Sequence, residues 1–334
     1  MIRKFYSAYL IQSEVNGRQI FNFLFVDEVQ DLLPIQISFL SKLIDQNHSV
    51  ISFAGDSAQA ITAGNCFRFT RLKNIFYEEY GMKMCEIRLT KNYRSQAKIV
   101  ALANEITSWI GKLFRDELDY LGEELGMKKG MGEPMALVKA LTIEDLLRFT
   151  FGNGLGHQGD DNTGLMIDDQ NSREMGADQC IIVANEKDRD TVLNSLKERK
   201  LKGNVLTLEE SKGLEYDDVI LYDIFGSSIS GDGYRGLMQI YPERFNRSGI
   251  PKKLQYSLCH DLKLLYVGIT RARKKLVFFE SHRHDLMKVF LTVCGDSVIS
   301  ANDDYNSGFA KKSSSEAWRQ LSACESVSKC SQCL

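Results

Sequence analysis

The feature that most constrains this chain is a set of short apolar runs that each end abruptly in acidic, glycine or polar residues. "FNFLFVDE" (21–28), "SVISFAGD" (49–56), "MCEIRLTKN" (84–92) and, much later, "QCIIVANE" (179–186) share this form. Runs of this length bounded by turn residues read as buried strands. Between the first two lies "LLPIQISFLSKLIDQ" (32–46), whose apolar residues recur at helical spacing. Strands alternating with helices predict layers built on parallel sheets. In such sheets ligands collect beyond the carboxyl ends of the strands. Asp27-Glu28, Gly55-Asp56 and Asn92-Tyr93-Arg94 are all expected at such ends, and that convergence is the first argument for a nucleotide site.

A second unit of the same kind starts near residue 179. "QCIIVANE" is followed by a predicted helix, "DTVLNSLKERK" (190–200), and a predicted strand, "NVLTLEES" (204–211). "DDVILYDIF" (217–225) reads as a strand, "YSLCHDLKLLYVGITRARK" (256–274) as a helix and "KKLVFFE" (274–280) as the last strand. This divides the chain into an α/β domain over 1–110, a flexible insertion over 111–178, a second α/β domain over 179–290 and a disordered tail over 291–334. Gly152, Gly154, Gly156 and Gly159 superficially resemble a dinucleotide loop, but they follow no convincing strand and read as part of the insertion. The stretch 226–253 reads as a long loop.

Composition narrows the class. With 43% hydrophobic and 26% charged residues over 334 positions, the chain has the make-up of a globular protein large enough for two cores. A net charge of -2 gives no global field toward a polyanion, although a local basic groove is compatible with it. No segment reaches the about 18 uninterrupted apolar residues of a membrane span, and the start has no signal-peptide pattern. The eight cysteines are scattered or lie in the tail, which points to reduced thiols and a nuclear or cytoplasmic setting. Cys324, Cys330 and Cys333 lack a fourth ligand in the tail, and a mobile terminus is the expected reading over zinc.

The chemistry-bearing residues follow from position. Asp27, delivered by a strand, is a hard oxygen donor suited to Mg²⁺. Glu28 beside it is placed to orient and deprotonate a water, against the simpler reading of a solvated acidic turn. Gln59, after "AGD", has an amide able to read a terminal phosphate, and Asp56 alternatively caps a helix start. Arg94 has a planar fork suited to phosphate. Arg271 and Arg273, followed by Lys274 and Lys275, are either ligand-facing or an ordinary charged helix end.

Taken in order, these stretches resemble the superfamily 1 helicases of the UvrD/Rep type. "DEVQD" looks like motif II, "GDSAQAI" like motif III, "LTKNYRS" like motif IV, "VLTLEESKGLEYDDVIL" like motif V and "LLYVGITRARKKL" like motif VI. The resemblance covers about residues 20–110 and 178–282. The spacing "GDSAQAITAGNCFRF" is nearer to helicase-like regions of large ankyrin- or tetratricopeptide-containing proteins. The resemblance implies two RecA-like P-loop NTPase-type domains that clamp ATP and Mg²⁺ and move along single-stranded DNA or RNA. By position it makes Asp27 the Mg²⁺ ligand, Glu28 the general base, Gln59 the γ-phosphate sensor, and Arg94 and Arg271 arginine fingers. Glu215 would contact the ribose. Thr207, Lys212 and Gly213 would couple nucleotide to strand. Tyr93 and Tyr266 would contact the nucleotide or pack in the core.

The chain departs from that pattern in several places. Glu209 and Glu210 stand where the repair helicases carry a histidine, and acids repel a phosphodiester track. "TAGNCF" replaces an aromatic-Arg-Gly base stack; Phe67 or Phe69 is a substitute platform or, the favoured reading, core. Above all, no Gly-x-x-x-x-Gly-Lys-Ser/Thr occurs, and the only Gly-Lys pair, Gly111-Lys112, is followed by Leu113. The first domain is therefore expected to be truncated at its N-terminus, the chain being either part of a longer polypeptide with upstream repeat or helicase segments, or a decayed paralogue. The expectation is an ATP-dependent helicase or translocase from motif II onward, with little hydrolysis by the chain alone. The rivals are a helicase-like module that binds nucleic acid or protein without turnover, and a nuclease or metal-dependent phosphatase using Asp27, Glu28 and Asp31.

Overall fold

A computed structural model describes residues 22–41, 50–62, 67–119, 122–128, 134–137, 142–151, 174–225, 252–294 and 297–301. They form two compact units: Met1–Arg88 with Phe114–Leu121, and Leu89–Leu113 with Gly122–Leu334.

In the first unit β1 (Phe23–Val26) pairs in parallel with β2 (Val50–Phe53), Phe23 opposite Val50 and Val26 opposite Phe53. Successive strand residues face opposite sides. Val26, Ile51 and Phe53 pack on a core of Val29, Ile37, Phe67, Leu72 and Phe76, while Phe23, Phe25 and Val50 are exposed. Helix α1 (Pro34–Ser41) opens on a proline, tolerated there because the first turn needs no N–H donor. Helix α2 (Phe69–Tyr80) ends at Gly81, whose φ of 64° lets its N–H close back on the carbonyls of Phe76 and Tyr77. Asp119 holds the start of α2, accepting from the Phe69 N–H at 2.6 Å and the Thr70 hydroxyl at 2.8 Å.

The second unit is built on six parallel strands. In chain order they are β5 (Met135–Leu137), β6 (Gln179–Val183), β7 (Val205–Thr207), β8 (Tyr216–Tyr222), β9 (Ala272–Phe279) and β10 (Ile299–Ala301). In space the order is β10-β5-β9-β8-β6-β7. β6 is buried along its whole length, as a strand covered on both faces must be. Leu146, Leu147 and Phe151 of helix α4 (Ile143–Phe151), together with Val192 and Leu196 of helix α5 (Glu186–Glu198), fill one core cluster with Ile181, Ile220 and Val277 of the sheet. Asn185 caps α5 by accepting from the Asp188 N–H at 3.0 Å. A two-stranded parallel sheet of β3 (Lys91–Gln96) and β4 (Leu125–Lys128) accompanies helix α3 (Ala97–Leu113), which packs on helix α6 (Lys252–Thr270). Helix α7 (His284–Cys294) places Phe290 against Phe278 of β9.

The α/β class with parallel sheets is as expected, but several elements differ. "MCEIRLTKN" is not a strand: Met84–Thr90 has no regular structure, and among the described residues β2 pairs only with β1. A strand without a neighbour leaves its N–H and C=O groups unmatched, so apolar character alone does not make one. Tyr93 and Arg94 consequently lie within β3 rather than beyond a strand, and Leu89–Leu113 groups with the second unit. The 111–178 stretch contains β4, β5 and α4, because its apolar residues complete the second unit's sheet and core; the four-glycine run lies outside the described residues. Structure continues past 291 through the end of α7 and β10, because β10 has a ladder partner in β5. Residues 302–334, with the three tail cysteines, and most of 226–253 lie outside the described residues. Gly111 and Lys112 sit in the last turn of α3, which excludes them from a phosphate-cradling loop.

Candidate functional site

In the first unit β1 carries the chain out to Asp27 and Glu28, both exposed. Glu28 has φ of 51°, in the left-handed region, where a non-glycine residue carries backbone strain. Its N–H donates to Asp27 Oδ1 at 2.9 Å. Gln30, fully buried, donates through Nε2 to Glu28 Oε2 and accepts at Oε1 from the Asp56 N–H at 3.1 Å. Asp56 in turn accepts from the Ala58 N–H at 2.9 Å and from Gln59 Nε2 at 3.1 Å. The structure thus brings Glu28 and Gln59 into one hydrogen-bonded chain through Gln30 and Asp56. Sequence reasoning gave Gln30 no role; its signal was a polar residue one step after Val29, on a stretch that must turn into the core. Phe67 is buried and stacks edge-on with Phe69 at 5.1 Å, the core reading of that pair.

In the second unit the candidates gather around Glu215. Arg94 NH1 donates to Glu215 Oε2 at 3.3 Å, and Arg273 NH1 donates to Glu215 Oε1 at 3.3 Å. Arg273 also reaches Asp217 at 2.8 Å and Asp178 at 3.2 Å, and Lys274 pairs with Asp217 at 2.6 Å. Partial burial works to raise the Asp217 carboxyl, but Lys274 and Arg273 outweigh it and hold it below its ordinary range. Burial likewise acts to lower Arg273, and Asp217, Glu215 and Asp178 together override it upward. Arg273 stands on β9, not on a helix end, which is why it meets the residues that lead into β8.

Arg271 is placed differently. It follows α6, is 2% exposed, and donates through Nε to the Val267 carbonyl at 3.1 Å and through NH1 to the Leu214 carbonyl at 3.0 Å. Thr207 is buried at the end of β7 and pairs with Glu210: the Thr207 N–H donates to Glu210 Oε2 at 2.8 Å, and the Glu210 N–H donates to Thr207 Oγ1 at 3.2 Å. Arg189 also binds Glu210, so this acid is engaged with the protein itself. Lys212 is half-buried, Gly213 is exposed with φ of 74°, Tyr93 is 63% exposed and Tyr266 is 6% exposed. Burial of Tyr266 in α6 matches the packing alternative for that residue; Tyr93 stands open on β3.

The described residues thus present a strand-borne acid pair tied to a glutamine turn and, separately, a carboxylate held between two arginines. Residues 9–80 match the UvrD/REP helicase N-terminal domain, and residues 191–283 match the UvrD-like helicase C-terminal domain. The chain thus carries segments similar to both the N-terminal and the C-terminal domain of UvrD-like helicases. Human "TPR and ankyrin repeat-containing protein 1" is 29% identical over 299 residues, 80% of this chain and 10% of that protein. A "Probable DNA helicase" of Mycoplasma pneumoniae is 26% identical over 262 residues, 76% of this chain and 42% of that one. "DNA helicase II" of Haemophilus influenzae is 31% identical over 132 residues, 40% of this chain and 17% of that one. The chain spans between a tenth and two fifths of the length of these relatives.

Proposed function

We propose that this chain is the motif II-onward part of an ATP-dependent helicase or translocase acting on single-stranded DNA or RNA inside the cell, working with segments of a longer polypeptide. The observation that supports the reading is the hydrogen-bonded chain from Glu28 through Gln30 and Asp56 to Gln59, beyond the ends of two parallel strands, which would link the proposed base to the proposed sensor. Asp27 and Glu28 are exposed carboxylates, and hard oxygen donors of this kind fit Mg²⁺. Mg²⁺ held by one or two carboxylates keeps waters and takes phosphate oxygens as further ligands. Bound ATP with Mg²⁺ would supply the labile phosphoanhydride. Asp27 would hold the cation, Glu28 would accept the proton of the attacking water, and Gln59 would orient that water. Arg94 would stabilise the charge on the phosphoryl group, with Arg271 a second finger once freed from its carbonyls. Glu215, Tyr93 and Gly213 would border the nucleotide, and Thr207 and Lys212 the strand.

A second reading, a helicase-like module that binds without turnover, is favoured by one observation: the chain contains no Gly-x-x-x-x-Gly-Lys-Ser/Thr. The deciding experiment is ATP hydrolysis with and without single-stranded DNA or RNA, for the chain and Glu28→Gln, alone and with the domain joined to a P-loop-bearing upstream segment. The motor reading expects little turnover alone and strand-stimulated turnover after joining, lost in Glu28→Gln. Silence after joining, with strand binding retained, establishes the binding module instead.

A further inference from the structure

The loop between β7 and β8 carries three of the residues discussed above, Lys212, Gly213 and Glu215, yet it is only eight residues long. Its own turn bonds run from Ser211 N–H to the Thr207 carbonyl at 3.0 Å, Lys212 N–H to Glu209 at 3.2 Å and Leu214 N–H to Ser211 at 3.1 Å. Gly213, at φ of 74°, takes the left-handed conformation in this turn, and Leu214 and Glu215 after it are exposed. A buried backbone carbonyl needs a donor. The Ser211 carbonyl already accepts from the Leu214 N–H, whereas the Leu214 carbonyl takes its donor from another part of the chain.

That donor is Arg271. Its NH1 reaches the carbonyls of Ser211 at 3.4 Å and Leu214 at 3.0 Å, while Nε holds Val267 at 3.1 Å and NH2 holds the Thr270 hydroxyl at 3.2 Å. The return bond is made by the Arg271 carbonyl, which accepts from the Tyr216 N–H at 2.9 Å. One guanidinium therefore spans the end of α6 and both sides of the loop. A planar fork with five donors does this; an ammonium group, whose donors radiate from one atom, does not. We infer that Arg271 is a positioning residue: its buried guanidinium clasps the 208–215 loop and sets where Lys212 and Glu215 stand. Glu215 follows directly on clasped Leu214, so the clasp fixes the distance at which its carboxylate meets Arg94 and Arg273. The functional meaning of Lys212 and Glu215 rests on the proposed function; the clasp itself does not. Drawing Arg271 toward a phosphate would remove the donor of the Leu214 carbonyl and the second donor of the Ser211 carbonyl, so the same side chain would unlatch the loop as it engaged a nucleotide.

Hydrogen exchange on the whole chain tests this without any need for turnover. In Arg271→Met, which keeps the bulk of the stem and removes every donor, the amides of 211–216 are expected to exchange about tenfold faster, with the interior of β6 and β8 unchanged. In Arg271→Ala, millimolar guanidinium, but not methylammonium, should restore the loop's protection. Should Arg271→Ala fail to fold, Arg271→Lys decides: faster exchange confined to the loop supports the clasp. Wild-type exchange of the loop in Arg271→Met or Arg271→Lys, or no response to guanidinium in a folded Arg271→Ala, overturns it. Adding a non-hydrolysable ATP analogue with Mg²⁺ to the wild type addresses the separate nucleotide reading. No change there removes that reading and leaves the clasp standing.

Discussion

A β-carbon added to Gly55 would lie 2.3 Å from Gln30 Oε1 and 3.0 Å from the Val29 side chain, so these two residues occupy space that only a glycine leaves open. The constraint is one of contact rather than of backbone angle. Gln30 uses the gap to reach the Asp56 N–H with one end of its amide while the other end holds Glu28. Gly55→Ala is therefore expected to push the Gln30 amide away and leave a buried polar group short of partners, at a cost of about 1–3 kcal/mol. Chemical denaturation followed by tryptophan-independent far-UV signal measures it. An unchanged midpoint would mean that Gln30 has a second rotamer equally well satisfied.

The Arg94–Glu215–Arg273 cluster should behave in the opposite way. Arg94 and Glu215 are each 39% exposed in their side chains, and pairs so open to water contribute less than about 1 kcal/mol. Glu215→Gln is expected to leave thermal stability within that margin while weakening binding of a fluorescent ATP analogue several-fold. A loss of stability well beyond it, with nucleotide affinity intact, would make the cluster a structural one.

β6 and β8 were readable in the sequence because Cys180–Val183 and Val219–Tyr222 are continuous apolar runs, the pattern of strands buried on both faces. The segment 84–90 was misread for a related reason: its alternation is strand-like, but the ladder that would make it a strand has to come from elsewhere. α3, with Ile99, Leu102, Ile106, Trp109 and Ile110 buried at helical spacing, is legible from the recurrence of those apolar residues every three or four positions. The motif residues themselves were found by type and order. What type and order do not reveal is which of two arginines in "TRAR" is buried. That depends on the loop after β7, which is distant in sequence from both.

The cysteines offer a direct check of which surfaces are open. Cys85 is exposed, whereas Cys180 and Cys294 are buried and their thiols are pushed well above the ordinary range, chiefly by burial. Thiolate is the reactive form, so both should resist a maleimide in the native protein while Cys85 reacts readily. Mass-spectrometric mapping after timed labelling reads this out. Native labelling of Cys180 at the rate of Cys85 would contradict the burial of β6.

Glu280 makes the stability of the second unit depend on pH. It is 1% exposed at the end of β9, accepts at Oε2 from the Phe225 N–H at 3.0 Å, and at Oε1 from the Arg283 N–H at 2.9 Å. Burial, reinforced by neighbouring Asp223, raises its carboxyl from the ordinary 4.5 to about 7. Asp223 itself faces Ser281 and His282, whose Nδ1 stands 2.9 Å from Asp223 Oδ2. A raised folded-state value means that between about 4.5 and 7 the native protein binds a proton that the unfolded chain has released. The contribution from Glu280 is thus fully present below the unfolded value and is lost as pH rises through that window, by on the order of a few kcal/mol. Glu280→Gln should flatten this part of the stability profile, because the amide stays neutral throughout. Urea unfolding at intervals from pH 4.5 to 8 tests it. A wild-type profile that rises across the window, or a Glu280→Gln profile with the same slope, would place the proton elsewhere.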